Sequence, residues 1–195
     1  MNATKLLSFA LATGAVGGQP VAVAQAADFG DFRITARPPA DSPAHVRNSF
    51  QFVVAAPLGR AAGLFGPEGE RCWAGPHWNP EFLHPQPAKD IEGAVFTVQH
   101  GSHKSVWVNT VFDPVGGRMQ YVSFVPDTLV FTVDVRLSTL TPSTTKVEVT
   151  YVRTALDVAA NEDVLAMGKR DGENGPEWQK AIEDCLAAEQ KPEHE

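Results

Sequence analysis

The sequence has no cluster of lysine and arginine, no long apolar run and no familiar catalytic motif. Its 16 basic residues are spread among 23 acidic ones, giving a formal net charge of −7, which does not favour nucleic acid or an anionic membrane surface as a partner. The apolar run at residues 6–16 is too short to cross a bilayer. A Gly-x-Ser-x-Gly turn, a glycine-rich phosphate loop, a Ser/His/Asp arrangement and internal repeats are all missing. No catalytic residue can therefore be nominated from motifs.

Metal-ligating patterns are also scarce. Only two of the 195 residues are cysteines, and no Cys/His spacing matches a structural zinc site. His100 and His103 are expected to face each other across a turn, but no third ligand accompanies them. His77 and His84 lie in an aromatic loop and are expected at an exposed rim. We expect neither a metal nor another cofactor.

The length and the 43% hydrophobic content favour one globular domain with a single core. The N-terminus differs in character, because Lys5 precedes the apolar run and Ala24-Gln25-Ala26 offers small residues where a signal peptidase cleaves. This pattern predicts a signal peptide and a periplasmic or secreted protein; the alternative is an alanine- and glycine-rich tail. The predicted divisions are a signal peptide at 1–26, an arm at 27–44, the domain at 45–189 and a disordered tail at 190–195.

Alternating apolar and polar residues dominate the middle of the chain. Five consecutive runs within residues 94–155 predict an antiparallel meander, which the alternating segment 45–56 is expected to join by a long-range pairing. The sequence His100-Gly101-Ser102-His103 favours a two-residue hairpin with glycine at its first central position. That turn places Phe96 opposite Trp107.

The inner face of the meander follows from carrying the same parity through the later turns. Pairing Phe124 with Leu129 places Gln120 opposite Val133. The predicted inner residues are Trp107, Asn109, Val111, Gln120, Val122, Phe124, Phe131, Val133, Val135, Leu137, Val147, Val149, Tyr151 and Arg153. A one-residue slip at the loop 113–118 would instead turn Gln120 outward and bring Tyr121 inward. No carboxylate falls on the predicted inner face, since Asp134 and Glu148 point outward.

Helices are predicted on both sides of the meander. Pro57 suits the first position of a helix that ends at Gly66, and residues 67–73 favour one further helical turn. The loop 73–85 is rich in aromatic residues and prolines and is predicted to be irregular. After the meander we expect a short helix at 161–168, a polar loop at 169–175 and a helix opened by Pro176. An apolar stripe on that last helix faces the sheet and comprises Trp178, Ala181, Ile182, Cys185 and Leu186.

This order of elements resembles the helix-grip fold of the START-like, or SRPBCC, superfamily. Short segments also resemble a group of bacterial SRPBCC proteins with no assigned activity, namely Glu70-Arg71-Cys72-Trp73, Trp78-Asn79-Pro80, Val106-Trp107-Val108, Asp113-Pro114, Val149-Thr150-Tyr151 and Thr154-Ala155-Leu156. The resemblance covers about residues 45–186. It implies an α+β fold in which a curved antiparallel sheet of six to seven strands wraps around a C-terminal helix, with two short helices after the first strand.

The resemblance further implies a cavity between sheet and helix that holds a hydrophobic small molecule such as a lipid, sterol or polyketide. The polar loop 169–175 departs from the pattern, because it interrupts what is usually a longer helix. The short helices would also bring Cys72 near Cys185, which implies a disulfide in an exported chain. The alternative for these cysteines is two buried free thiols.

Aromatic and polar residues on the predicted inner face form the candidate binding site. The candidate ligand-binding residues are Trp78, Phe96, His100, Trp107, Asn109, Gln120, Phe131, Tyr151 and Arg153. Such pockets are mostly apolar with a few fixed polar groups, although a filled core would show the same aromatics. Arg153 is a candidate to hold a ligand carboxylate, or it pairs with an acid near the helix.

The predicted function is that of an exported protein binding a hydrophobic or amphipathic small molecule. One alternative is a cyclase- or hydrolase-type enzyme on the same scaffold. Another is a protein-interaction module that uses the aromatic loop 73–85. The oligomeric state does not follow from the sequence.

Overall fold

The computed structural model describes residues 42–101 and 103–189, apart from the side chain of His100. The predicted signal peptide, most of the predicted arm and the predicted tail lie outside these residues. The described strands are β1 His45–Val54, β2 Glu81–His84, β3 Val95–His100, β4 His103–Asp113, β5 Arg118–Val125, β6 Leu129–Thr141 and β7 Thr144–Ala155. The α-helices are α1 Leu58–Ala62, α2 Asn161–Asp171 and α3 Gly175–Glu189, and 3₁₀ turns form at Gly69–Cys72 and Val158–Ala160.

The described strands form one seven-stranded antiparallel sheet in the order β1-β7-β6-β5-β4-β3-β2. The meander and the long-range pairing of the first strand are confirmed, since β1 lies beside β7 with Phe50 opposite Val149. The loop 73–85 is more regular than predicted. Its last part forms the edge strand β2, where Phe82 pairs with Phe96.

The turn between β5 and β6 corrects the predicted register by one residue. Val125 pairs with Leu129, which leaves a three-residue turn with Asp127 in the left-handed region at φ 57°. Such turns are common in hairpins, and aspartate tolerates this conformation better than most residues. The prediction that Gln120 faces inward is therefore wrong, and Tyr121, opposite Val133, takes the inner position.

A bulge in β4 corrects the inner face a second time. The pairing of β4 with β5 shifts between Asn109 and Val111, and an extra residue on one strand reverses the faces of those that follow. Phe112 consequently packs toward the core, while Val111 pairs with the outward-facing Gln120. The inward predictions for Val111, Val122 and Phe124 are wrong. Phe124 is 43% exposed, whereas its neighbour Ser123 is fully buried.

The core lies between the inner face of the sheet and the helical segments. The predicted rows on β6 and β7 are confirmed, and Val135 and Val149 are almost completely buried in the same core cluster as Ile182 of α3. A smaller apolar cluster comprises Leu129, Ala155, Ala160 and Val164, below α2. Gly168 permits α2 to lie close to β1, because a Cβ there would sit 2.8 Å from Val46 Cγ2.

The C-terminal helices confirm the predicted interruption but shorten it. Helix α2 extends to Asp171 and α3 begins at Gly175, so only residues 172–174 separate them. Pro176 cannot donate a backbone hydrogen bond within a continuous helix, which explains the break. The apolar stripe of α3 is confirmed by the burial of Ile182, Cys185 and Leu186.

A disulfide joins Cys72, at the end of the first 3₁₀ turn, to Cys185 of α3 across 113 positions of sequence. Their Cα atoms are 5.7 Å apart. The bond fixes the turn over the sheet beside the last helix. Among the described helices, none has the length and apolar character needed to cross a membrane.

Candidate functional site

A cavity of about 270 Å³ lies between the inner face of the sheet, the first 3₁₀ turn and α3. The residues lining it are Glu70, Trp73, Ala74, Gly75, Trp78, Trp107, Tyr121, Val133, Tyr151, Glu177, Trp178 and Ala181. All four tryptophans and both tyrosines of the chain belong to this lining, and none of the described phenylalanines does. Phe65 and Phe96 belong to the same buried cluster as these rings but do not line the cavity.

Hydrogen bonds hold three of the indole rings in place. Trp73 Nε1 donates to the carbonyl of Leu64 at 2.7 Å, and Trp78 Nε1 donates to that of Pro67 at 3.0 Å. Trp107 Nε1 donates to Ser105 Oγ at 2.8 Å. These bonds occupy the polar edges of the rings, so the cavity wall is set before a ligand enters.

The rings also contact one another around the cavity. Trp78 meets Trp107 edge to face with centroids 5.3 Å apart, so the loop 73–85 contacts the sheet. Trp73 and Trp178 are 4.9 Å apart, which joins the same loop to α3. Tyr151 lies 6.3 Å from Trp178, which joins α3 back to the sheet. The aromatic wall therefore draws on three separate parts of the fold.

Glu70 is the one acidic side chain of this wall that is buried. It is 7% exposed, and its Oε1 accepts a hydrogen bond from the Tyr121 hydroxyl at 2.8 Å. Within residues 42–101 and 103–189, no side chain forms an ion pair with it. Burial raises the pKa of Glu70 to about 8, an effect that the Tyr121 hydrogen bond opposes and the charge of Asp90 reinforces. The carboxyl group therefore changes protonation close to neutral pH.

The turn that carries Glu70 is fixed at both ends. Asp90 accepts hydrogen bonds from the backbone amides of Glu68 and Gly69 at 2.9 and 3.1 Å, and Cys72 is bonded to α3. Burial also raises the pKa values of Tyr121 and Tyr151 above their ordinary range. Both phenols stay protonated at physiological pH and can donate hydrogen bonds within the cavity.

A second cavity, of about 410 Å³, lies between α2 and the neighbouring end of the sheet. Its lining includes Phe131 and Arg153. The Arg153 guanidinium donates to both carboxylate oxygens of Asp171, at 2.6 and 2.7 Å, and lies 4.6 Å from the ring centre of Phe131. Phe131 in turn contacts Trp107 at 5.1 Å. Since Trp107 lines the first cavity, the stacked Phe131 and Arg153 stand between the two.

The second cavity is the larger, but its basic side chain already has a partner. The expected alternative for Arg153, an ion pair with an acid near the helix, is what the structure shows, and that pair is nearly buried. The smaller cavity instead contains a buried carboxyl group with no counter-charge among the described residues. We take the smaller cavity as the candidate site.

The predicted binding residues divide among several environments. Trp78, Trp107 and Tyr151 line the first cavity, while Phe131 and Arg153 line the second. Phe96 and Asn109 are completely buried and line neither cavity. Gln120 lies on the outer face, where its amide bonds Thr110 and Asp134, so its prediction as a cavity residue is wrong. The His100 backbone pairs with His103 as predicted, and the His100 side chain is not among the parts of the chain that the structure describes.

Sequence reasoning did not identify Glu70, Tyr121 or Trp178 as site residues. The search for a cavity carboxylate was confined to the strands, whereas Glu70 comes from the turn that packs over them. One signal was available, because Glu70 is two residues before Cys72, which was expected to approach α3. The indole of Trp178 was placed on the stripe facing the sheet, and that placement is confirmed.

No family model matches the chain, and no curated protein matches it in sequence. Solved structures do match it in fold. Ara h 8.0201 is 14% identical, with 74% of this chain and 99% of that chain covered and a TM-score of 0.56. Norcoclaurine synthase from Thalictrum flavum in complex with dopamine and hydroxybenzaldehyde is 11% identical, with 82% and 97% covered and a TM-score of 0.55. A protein from Thermobifida fusca is 15% identical, with 76% and 97% covered and a TM-score of 0.55.

The chain has a helix-grip fold. At these identities the likeness concerns architecture alone, and it confirms the expected α+β class with a curved antiparallel sheet and a C-terminal helix. In this helix-grip domain the cavity occupies the space between sheet and last helix. The nature of any ligand therefore has to come from the lining residues.

Proposed function

We propose that this helix-grip domain is an exported member of the START-like superfamily that binds a small amphipathic molecule in the cavity between the sheet and α3. The observation that carries the proposal is the placement of every tryptophan and tyrosine of the chain around one cavity. The phenylalanines of the same buried cluster do not line the cavity, so the need to fill a core does not account for the choice of indole and phenol side chains there. Indole and phenol rings offer large apolar faces to a ligand, while hydrogen bonds from their polar edges to the protein hold the rings in place.

The volume narrows the class of ligand. A cavity of roughly 150 Å³ holds benzene, and drug-sized ligands occupy roughly 300–1,000 Å³. At about 270 Å³, the cavity suits a molecule of one or two rings better than the sterol or lipid that the family resemblance suggests. Norcoclaurine synthase, a structural neighbour, is in complex with dopamine and hydroxybenzaldehyde, both one-ring aromatics. That precedent supports a small aromatic ligand on this architecture.

Two features support export. Residues 1–26 have the composition of a signal peptide, and the disulfide between Cys72 and Cys185 is of a kind that persists in oxidising compartments. We therefore place the protein in the periplasm or outside the cell.

Replacement of Trp107 by leucine tests the binding function. The wild type is titrated with a naphthalene probe whose emission depends on its surroundings, and we expect saturable binding with a micromolar dissociation constant. Because Trp107 lines the cavity, Trp107→Leu should weaken this binding at least tenfold, while its melting temperature falls only slightly.

Phe96→Leu is the matched control for that experiment. Phe96 is the cross-strand partner of Trp107 but is fully buried and does not line the cavity. Its replacement should leave a void that lowers the free energy of unfolding by about 1–3 kcal/mol. Probe affinity should fall much less than in Trp107→Leu, because Phe96 contacts Trp78 and Trp107 but does not itself line the cavity. Absence of saturable binding in the wild type, with a large fall in melting temperature for Trp107→Leu, would mean that the inner face is solid core.

Acid–base catalysis on the bound molecule is a second candidate function. It is favoured by Glu70, whose pKa of about 8 and hydrogen bond to Tyr121 place a proton-exchanging group inside the cavity. Turnover of an aryl ester by the wild type, lost in Glu70→Gln with probe binding retained, would establish it.

A partner-binding role for the loop 73–85 has less support, because Trp73 and Trp78 belong to the cavity wall.

A further inference from the structure

We propose that the cavity recognises a small organic cation, an ammonium group carrying an aromatic or alkyl portion, with Glu70 as its counter-ion and the surrounding rings as its cage. This proposal rests on the proposed binding function and names the chemistry of its ligand. It follows from three features of the cavity wall: an unpaired buried carboxyl group, a ring of electron-rich aromatic side chains and the lack of basic groups.

The carboxyl group is the first feature. An ionised carboxylate away from water is costly unless it is paired and hydrogen-bonded. Asp171, the other buried acid among the residues that the structure describes, is paired with Arg153 through two hydrogen bonds. Glu70 has one hydrogen bond, from Tyr121, and its second oxygen has no hydrogen-bond partner among the described residues. The wall therefore has a position for one positive charge that the described protein does not fill.

The aromatic wall is the second feature. A cation within about 6 Å of a ring centre is attracted by the electron-rich face, most strongly by tryptophan, and cages of such rings bind quaternary ammonium groups. Four indoles and two phenols line this cavity. Contacts of 4.9–6.3 Å between ring centroids join them into two groups, one of Trp78, Trp107 and Tyr121 and one of Trp73, Trp178 and Tyr151. A neutral apolar ligand could be bound equally well by phenylalanine and aliphatic side chains, so the use of indole and phenol rings favours a cation.

The charges around Glu70 are the third feature. Tyr121 and Tyr151 face it from the sheet, Asp90 lies behind its turn, and Glu177 of α3 lines the same cavity. The basic side chain nearest in sequence, Arg71, is turned away and donates to Glu68, Asn79 and the carbonyl of Pro80. Arg153, beyond Tyr151, is held by Asp171. The carboxyl groups of Glu70 and Glu177 therefore line the cavity without a basic side chain beside them in the lining that the structure describes.

Proton release should accompany the binding of a cation. Burial raises the pKa of Glu70 to about 8, so the empty site is protonated at neutral pH, whereas the proposed complex requires the carboxylate. The apparent affinity for a permanently charged ligand then follows the ionised fraction of Glu70. Between pH 6.5 and pH 9 this affinity should rise by about 30-fold.

Two probes of the same shape isolate the effect of charge. Phenyltrimethylammonium carries a fixed positive charge that does not titrate, and tert-butylbenzene is its neutral isostere. Since all four tryptophans line the cavity, a change in the intensity or emission maximum of intrinsic fluorescence reports binding of either probe. We expect the cation to bind more tightly than the isostere at pH 9 and to lose about 30-fold in affinity at pH 6.5, while the isostere binds equally at both.

Glu70→Gln should retain the hydrogen bond from Tyr121 and should bind the neutral probe as the wild type does. It should no longer prefer the cation, and its affinity for the cation should not depend on pH. Glu148→Gln removes an exposed carboxylate on the outer face of β7 and should behave as the wild type. Equal affinity of the wild type for both probes, or an affinity for the cation that does not change with pH, would overturn the cation proposal while leaving the binding cavity standing. Failure of both probes to bind would instead count against the proposed function itself.

Discussion

At the scale of single residues, burial of Glu70 makes the stability of the folded protein depend on pH. Its pKa is about 8 in the folded chain, compared with the ordinary value of 4.5 that we take for the unfolded chain. Between pH 4.5 and pH 8 the folded state therefore binds more protons than the unfolded state. Stability must fall as pH rises through that window, and it levels off above the folded pKa. The loss amounts to roughly 1 kcal/mol for each pH unit between the two values.

Glu70→Gln should remove this pH dependence. The amide has no charge to bury and can still accept the Tyr121 hydrogen bond. We expect the variant and the wild type to have similar free energies of unfolding near pH 5, and the variant to be the more stable by several kcal/mol at pH 9. Urea unfolding at pH 5, 7 and 9 measures this difference. Parallel profiles for the two proteins would show that Glu70 does not carry the effect.

At the scale of elements, one buried ion pair attaches α2 to the sheet. Arg153 belongs to β7 and Asp171 is the last residue of α2, and their side chains are 12% and 4% exposed. The guanidinium also lies over Phe131 and Tyr151, at 4.6 and 4.8 Å from the ring centres. The same contact therefore closes α2 onto the sheet and forms the partition between the two cavities.

Asp171→Asn should be strongly destabilising, because it leaves the Arg153 charge buried without its partner. The expected loss in free energy of unfolding is about 3 kcal/mol. The double variant Arg153→Met with Asp171→Leu should recover most of it, since no charge is then left unpaired. Asp184→Asn, which breaks an exposed pair with Lys180 on α3, is the control and should change stability little. A loss in the double variant as large as in Asp171→Asn would contradict this account.

At the scale of the whole molecule, the disulfide connects opposite walls of the cavity. The first 3₁₀ turn carries Glu70 and ends at Cys72, while α3 carries Trp178 and Cys185. The bond closes a long loop of chain that includes most of the sheet. It therefore restricts the unfolded ensemble and keeps the acid and the indole at a fixed separation.

Removal of both cysteines, as Cys72→Ser with Cys185→Ala, should lower the free energy of unfolding by about 4–5 kcal/mol according to the chain-entropy model. Probe affinity should fall as well, because the two walls are then joined only by packing. Thiol titration of the oxidised wild type in denaturant should detect no free thiol. Two reactive thiols there would contradict the bond and would weaken the argument for export.

The sequence by itself determined those parts of the fold that depend on short-range patterns. The two-residue turn at residues 100–103 fixed Phe96 opposite Trp107, and the alternation on β6 and β7 fixed which side chains meet the core. The spacing of the stripe from Trp178 to Leu186 fixed the buried face of α3. A tight turn sets the pairing of the two strands that it joins. A backbone period of two or of 3.6 residues places side chains at regular intervals on one face, with no need for information from distant residues.

Only the tertiary structure decided the composition of the cavity. One bulge in β4 and one three-residue turn after β5 exchanged Gln120 for Tyr121, because a shift of a single residue reverses the face of a strand. Glu70 entered the site because its turn docks on the sheet beside α3, an orientation set by Asp90 and by the disulfide rather than by any local pattern. Its raised pKa has the same origin, since burial is a property of everything that surrounds a group and not of the residues adjacent to it in sequence.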